Sequence, residues 1–167
     1  MEADFKLSSK MEDYLEVISI LNKEKGVARV KDISRMMNVK NPSVSGALST
    51  LESNDLIRHE KYGYVVLTEK GKRIARDIQK KHNVLLRFLT LVLRIDRETA
   101  ERDSCKLEHA ISPQTLEKLT KFIEFVETFP EKDIPERLKS FYNFVKTGKI
   151  VRSSNLDIFE KDIFDKK

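Results

Sequence analysis

The chain has 167 residues, 40% of them hydrophobic and 35% charged, with a formal net charge of +5 at pH 7. This balance supports a folded core and excludes a disordered chain, while the excess positive charge favours an anionic partner. One cysteine excludes an internal disulfide, the alternating charges of Met1 to Lys10 are not a signal peptide, and Val84 to Ile95 is too short and too broken by arginines to span a bilayer.

Ser8 or Ser9 caps a first helix whose Met11, Tyr14, Leu15, Ile18 and Leu21 line one face. Asn22 to Gly26 ends it. Val30, Ile33, Met36 and Met37 mark a short second helix, and Asn38 to Pro42 a turn. Val44, Ala47, Leu48 and Leu51 form the inward face of a third, so the pair reads as a helix-turn-helix. Two β-prone runs, Leu56 to His59 and Tyr64 to Leu67, predict a hairpin wing. Thr68 starts a long helix running to about Ile95, in which Gly71 is tolerated. From Val84 onward that helix is apolar nearly all round, as expected where a second subunit covers it. A fifth helix spans Arg97 to Ile111, and a sixth begins at Ser112-Pro113 with a stripe of Leu116, Leu119, Phe122, Ile123 and Val126. Pro130 and Pro135 mark a break, Leu138 to Val145 predicts one more helix, and the tail from Arg152 is polar.

The third helix offers DNA an unusual surface, Asn41, Pro42, Ser43, Ser45, Ser49 and Thr50, with no arginine for the usual bidentate contact to guanine. Small hydroxyl side chains allow close approach to phosphates, which position a protein without specifying sequence. Specificity is therefore expected from apolar contact, DNA shape and half-site spacing. Further phosphate contacts are expected from Arg29, Lys31, Lys61, Tyr62 and Tyr64.

A second set of residues has metal chemistry. At about 100° per residue, Cys105, Glu108 and His109 fall within roughly 100° of one another on a helix, and Asp13 and Glu16 repeat an i, i+3 spacing with carboxylates. His82 begins the apolar half of the long helix. Burying such a carboxylate is costly without a partner, and a divalent cation offsets that cost while deprotonating a neighbouring thiol.

The ordered set Met11-Glu12-Asp13-Tyr14-Leu15-Glu16, Asn41-Pro42-Ser43-Val44-Ser45, Leu67-Thr68 with Gly71, Lys81-His82, and Glu108-His109 followed by Ser112 resembles the diphtheria toxin repressor and manganese transport regulator family. The resemblance covers roughly Ser9 to Thr128. It implies a homodimeric repressor that binds a palindromic double-stranded operator, with Fe(II) or Mn(II) as co-repressor. Carried over by position, Asp13, Glu16, His82, Cys105, Glu108 and His109 are the ligands. Asp13 resembles the manganese-type members and Cys105 the iron-type members, a mixture of hard and soft donors that leaves both metals open. Leu86 stands where many members have a carboxylate and Glu101 where iron-type members have a histidine, a departure from the pattern of an ancillary second site. The residues after Pro130 are too few for the SH3-like domain of longer members.

The expected fold is mainly α: a winged helix-turn-helix with a small β-hairpin over residues 1–75, an all-helical metal-binding and dimerisation domain over 76–130, and a C-terminal extension over 131–167. The expected protein is cytoplasmic, has no membrane partner and is not an enzyme, since no nucleophile elbow or glycine-rich phosphate loop is present. The rival readings are a winged-helix regulator indifferent to metal and a dimeric interaction scaffold.

Overall fold

The computed structural model describes residues 7–60, 63–128 and 136–149. The chain divides into two compact units, residues 1–123 and 124–167. The first contains α1 (Ser9–Lys25), β1 (Ala28–Arg29), α2 (Val30–Met37), α3 (Asn41–Ser53), β2 (Ile57–Glu60), β3 (Tyr64–Leu67), α4 (Glu69–Arg87) and α5 (Arg97–Leu107). Helix α6 (Pro113–Glu127) begins in the first unit, and α7 (Glu136–Thr147) belongs to the second.

Ser8 is the N-cap of α1, accepting the Met11 N–H at 3.4 Å, and Gly26 ends the helix in the left-handed region at φ 76°. Tyr14, Leu15, Ile18 and Leu21 of α1 enter one core with Ile33, Val44, Leu48, Leu51, Leu56 and Val65. Burying a side chain of this size contributes about 1.5–3 kcal/mol, so this cluster is the main reason the three helices and the sheet hold together. Helix α3 starts at Asn41 with Pro42 in its first turn, so the turn before it is Asn38 to Lys40, shorter than the sequence predicts. Proline suits that position, because the first turn of a helix has no use for its missing N–H.

The wing has three strands, not two. The order is β1-β3-β2, all antiparallel, with Ala28 opposite Val65 and Ile57 opposite Leu67. β1 is only two residues long, too short to leave a periodic pattern in sequence. Beyond it the open edge of β3 is satisfied by Asn22 of α1, whose carboxamide donates to the Val65 carbonyl at 3.0 Å and accepts the Leu67 N–H at 3.2 Å.

Thr68 caps α4, its hydroxyl accepting the Gly71 N–H at 3.0 Å and donating to the Asp55 carbonyl at 2.7 Å. Gly71 is required rather than tolerated. A Cβ there would lie 2.0 Å from the Leu56 carbonyl oxygen, so only glycine permits this approach of α4 to the loop before β2. The long helix does not continue to Ile95 as an α-helix. It ends at Arg87 and passes into a π-helical turn over Phe88–Val92, closed by the Leu93 N–H on the Phe88 carbonyl and followed by Arg94 at φ 55°. Helix α5 likewise stops at Leu107, short of the expected Ile111; the residues after it turn, with the Ala110 N–H reaching back three residues to the Leu107 carbonyl.

Leu85, Phe88 and Leu89 border a groove of about 540 Å³ whose other wall includes Leu107, Ile111 and Leu119. Of the α6 stripe, only Ile123 is fully buried, and Phe122 remains 41% exposed. Helix α7 covers the segment expected at Leu138 to Val145. Pro130, Pro135 and the tail from Arg152 lie outside the described residues. Among the described residues, no helix is long and apolar enough to cross a membrane.

Candidate metal centre

Helix α1 has two faces. Tyr14, Leu15, Ile18 and Leu21 point into the core, and Glu12, Asp13 and Glu16 fall on the opposite side of the helical projection. Helix α5 carries Glu101, Cys105 and Glu108 in one line at i, i+4 and i+7. Glu108 is the residue after the helix proper, yet it keeps helical angles (φ −59°, ψ −30°) and bonds the Ser104 carbonyl, so the line continues through it. His109 follows in the turn, and His82 arrives from α4.

Glu108 lies at the middle of this cluster and is 1% exposed. Its Oε2 is 2.8 Å from His82 Nδ1, while its buried Oε1 has no hydrogen-bond partner and lies 3.6 Å from His109 Nε2. Glu16, His82 and Glu108 each turn one donor atom inward, all within 4.8 Å of one another. Cys105 is exposed as a residue, but its Sγ reaches 3.8 Å from His82 Nδ1. On the other side, His109 is held between two acids of α1, with Nδ1 2.5 Å from Glu12 Oε2 and Nε2 2.9 Å from Asp13 Oδ1.

The electrostatics follow from this crowding. Burial, then the Glu108 charge, raises the Glu16 pKa. The Glu108 hydrogen bond raises His82 to about 9, against the opposing effect of burial and with help from Glu101. His109 is raised as well: burial works against its charge, but the Glu12 hydrogen bond and the Asp13 and Glu108 charges outweigh it. Partial burial of the thiol, then Glu108 and the other carboxylates, pushes Cys105 up to about 11.

These residues fit a divalent cation. A buried carboxylate oxygen without a hydrogen bond costs on the order of 1–3 kcal/mol or more, a cost that coordination removes. Imidazole, carboxylate and thiol form a donor set suited to the first-row transition metals.

All six expected ligands are therefore in one region, as two subclusters joined by Glu108. Two further members, Glu12 and Glu101, are not picked out by spacing alone. Glu12 adjoins Asp13 in an acidic run, and Glu101 precedes Cys105 by one helical turn; those were the only signals available.

The expected DNA-contacting residues are placed as follows. Asn41, Pro42, Ser43, Ser45, Ser49 and Thr50 are exposed on α3, and Lys31 is exposed on α2. The Ser45 and Thr50 hydroxyls donate back to the Asn41 and Gly46 carbonyls, both at 3.2 Å. Arg29 stacks its guanidinium 5.0 Å over the Tyr64 ring and donates to the Tyr64 hydroxyl at 2.9 Å, which ties β1 to the turn end of the β2–β3 hairpin. Lys61 and Tyr62 lie outside the described residues.

Residues 6–65 match the family described as iron dependent repressor, N-terminal DNA binding domain, and residues 68–136 match the iron dependent repressor, metal binding and dimerisation domain. The chain belongs to the iron dependent repressor family. Family membership agrees with the expected fold, with DNA and a second subunit as partners, and with a divalent metal as effector. It makes the chain a metal-dependent DNA-binding transcriptional regulator. An uncharacterized HTH-type transcriptional regulator of Methanocaldococcus jannaschii is 35% identical over 119 residues, 71% of this chain and 95% of that regulator. The HTH-type transcriptional regulator MntR of Bacillus subtilis is 34% identical over 117 residues, 70% of this chain and 82% of MntR. Among solved structures, T. acidophilum IdeR aligns with TM-score 0.64 at 28% identity, and the manganese regulator SloR with TM-score 0.63 at 30% identity. Those alignments cover 72% and 69% of this chain but only 55% and 54% of the respective structures, so the chain spans about half the length of these repressors.

Proposed function

We propose that the chain is a cytoplasmic, non-enzymatic repressor of metal-homeostasis genes that takes Fe(II) or Mn(II) as co-repressor through Asp13, Glu16, His82, Cys105, Glu108 and His109. The observation that carries this reading is the buried Glu108 carboxylate, one oxygen on His82 and the other without a hydrogen-bond partner. When bound, the cation supplies a positive charge that several carboxylates and a thiolate can share. The functional division is residues 1–75 for DNA binding, 76–130 for metal binding and dimerisation, and 131–167 as an extension.

The chain's own residues explain how such a site reaches DNA. Asp13 and Glu16 ride on α1, whose opposite face packs in the same core as Val44, Leu48 and Leu51 of the recognition helix α3. Cys105, Glu108 and His109 ride on α5 and the turn after it. Shared coordination by both groups fixes α1, and with it α3, relative to α4 and α5. In a dimer that fixes the separation of the two recognition helices, which must match successive major grooves about 34 Å apart on a palindromic operator. Asn41, Pro42, Ser43, Ser45, Ser49 and Thr50 then meet the groove, while Arg29, Lys31, Lys61, Tyr62 and Tyr64 contact the backbone. Effector binding favours the DNA-binding state only by being tighter in that state, so operator DNA tightens metal binding by the same factor.

The test is a competition titration with Mn(II) and, anaerobically, Fe(II). Glu108→Ala and His109→Ala are expected to lose binding of both ions; wild-type affinity in either variant contradicts the assignment.

A further inference from the structure

His82 is gripped on both ring nitrogens, and the two grips differ. Nδ1 faces Glu108 Oε2 at 2.8 Å and Cys105 Sγ at 3.8 Å, and one ligand atom each of Glu16, His82 and Glu108 lies within 4.8 Å of the others. Nε2, the other ring nitrogen, lies 3.0 Å from Glu101 Oε2. Glu101 is at the rim, its side chain 39% exposed where Glu108 is 1% exposed. Its other oxygen, Oε1, is 3.3 Å from the Arg97 guanidinium one turn earlier on α5. Arg97, Glu101, His82 and Glu108 thus form a continuous chain of charged contacts from solvent to the buried carboxylate.

We propose that Glu101 is the positioning residue of the metal centre: by accepting the Nε2 proton of His82 it fixes the tautomer and ring orientation that present Nδ1 as the ligating nitrogen. The inference rests on reading Glu16, His82 and Glu108 as ligands. A neutral imidazole has one nitrogen that donates and one that accepts. Without a fixed acceptor on Nε2 the ring is free to flip or to carry its proton on Nδ1, and both outcomes take the Nδ1 lone pair away from Glu108 and Cys105. A carboxylate on the far nitrogen removes these alternatives and makes the near nitrogen more basic, an effect that in metal sites changes affinity about 10–100-fold. The position also explains why an acid sits at residue 101 without joining the tight donor group. Its two oxygens are committed to Arg97 and to His82.

The experiment uses the full chain labelled with 15N-histidine, with Zn(II) as a diamagnetic probe for NMR and Mn(II) for affinity. In the Zn(II)-loaded wild type, His82 is expected to show a metal-bound Nδ1 and a slowly exchanging proton on Nε2. Glu101→Ala is expected to weaken Mn(II) about 10–100-fold and to speed exchange of that proton. Glu101→Gln, whose amide oxygen still accepts the bond, recovers part of both. A metal-bound Nε2 in the wild type, or Mn(II) affinity within twofold of wild type in Glu101→Ala, overturns the proposal. Glu108→Ala separates the two levels. If it loses Mn(II) while Glu101→Ala does not, only the positioning role falls; if Glu108→Ala binds normally, the ligand assignment falls with it.

Discussion

His82 sits between two carboxylates with its pKa raised to about 9 from an ordinary 6.5, so over most of the accessible pH range it holds a proton, which in the proposed site a bound metal would have to displace. Two opposite pH dependences follow. Without metal, the native state binds this proton more tightly than the unfolded chain does. Its contribution to stability is therefore complete below pH 6.5 and is lost as pH rises through about 9. Metal affinity runs the other way, increasing over the same window as the competing proton leaves, with Cys105 adding a further rise towards its value of about 11. Thermal unfolding in chelator is expected to show Tm falling from pH 6.5 to 9, while Mn(II) titrations show Kd tightening. Parallel trends would contradict the role given to His82. His109 invites a second substitution: Glu12→Gln is expected to weaken Mn(II) binding less than Asp13→Ala, because Glu12 is outside the proposed ligand set although it contacts the same imidazole. The reverse order in a competition assay would exchange the two roles.

Elements are placed by contacts that a sequence pattern does not carry. Helical periodicity located α1, α2 and α3 to within a residue or two, because their apolar faces all enter one core. It did not detect β1, whose two residues have no period, nor the change from α-helix to π-helical turn at Phe88, since a five-residue turn leaves the apolar pattern unchanged. Gly71 shows the same gap: its neighbours in sequence are helix formers, and the requirement comes from the Leu56 carbonyl across the fold. Gly71→Ala is therefore expected to destabilise the chain by about 3 kcal/mol, since backbone on both sides must move. Asn22→Ala strands the Val65 carbonyl and Leu67 N–H that its carboxamide pairs, with an expected loss of about 1–3 kcal/mol. Urea unfolding checks both; a change below about 0.5 kcal/mol in either would remove the structural role. The site was more legible than these contacts. Cys105, Glu108 and His109 were readable as a group because the end of α5 and the turn after it keep close to the helical period, whereas the approach of Glu12 to His109 joins residues 97 apart and left no local trace.

At the scale of the molecule, α1 belongs at once to the core of the DNA-binding segment and to the candidate metal cluster, so in the proposed function both roles share one rigid element. The groove between α4 and the start of α6 supplies the other requirement. Leu107 and Phe122 remain 44% and 41% exposed beside it, and Phe88 meets Phe122 edge-on at 6.3 Å. Apolar side chains left in contact with water beside such a groove favour a second copy in a family that dimerises. Leu107→Glu is expected to shift the protein to monomer in sedimentation velocity and to weaken operator binding without changing the fold; an unchanged dimer would place the interface elsewhere. The central claim is that metal held between α1 and α5 sets the DNA-binding state. It is tested most directly by fluorescence anisotropy on a palindromic operator selected from random DNA, in chelator and then in Mn(II) or anaerobic Fe(II). Binding that requires metal in the wild type and is lost in Glu108→Ala is the predicted result. Equal binding in chelator and in metal would contradict it.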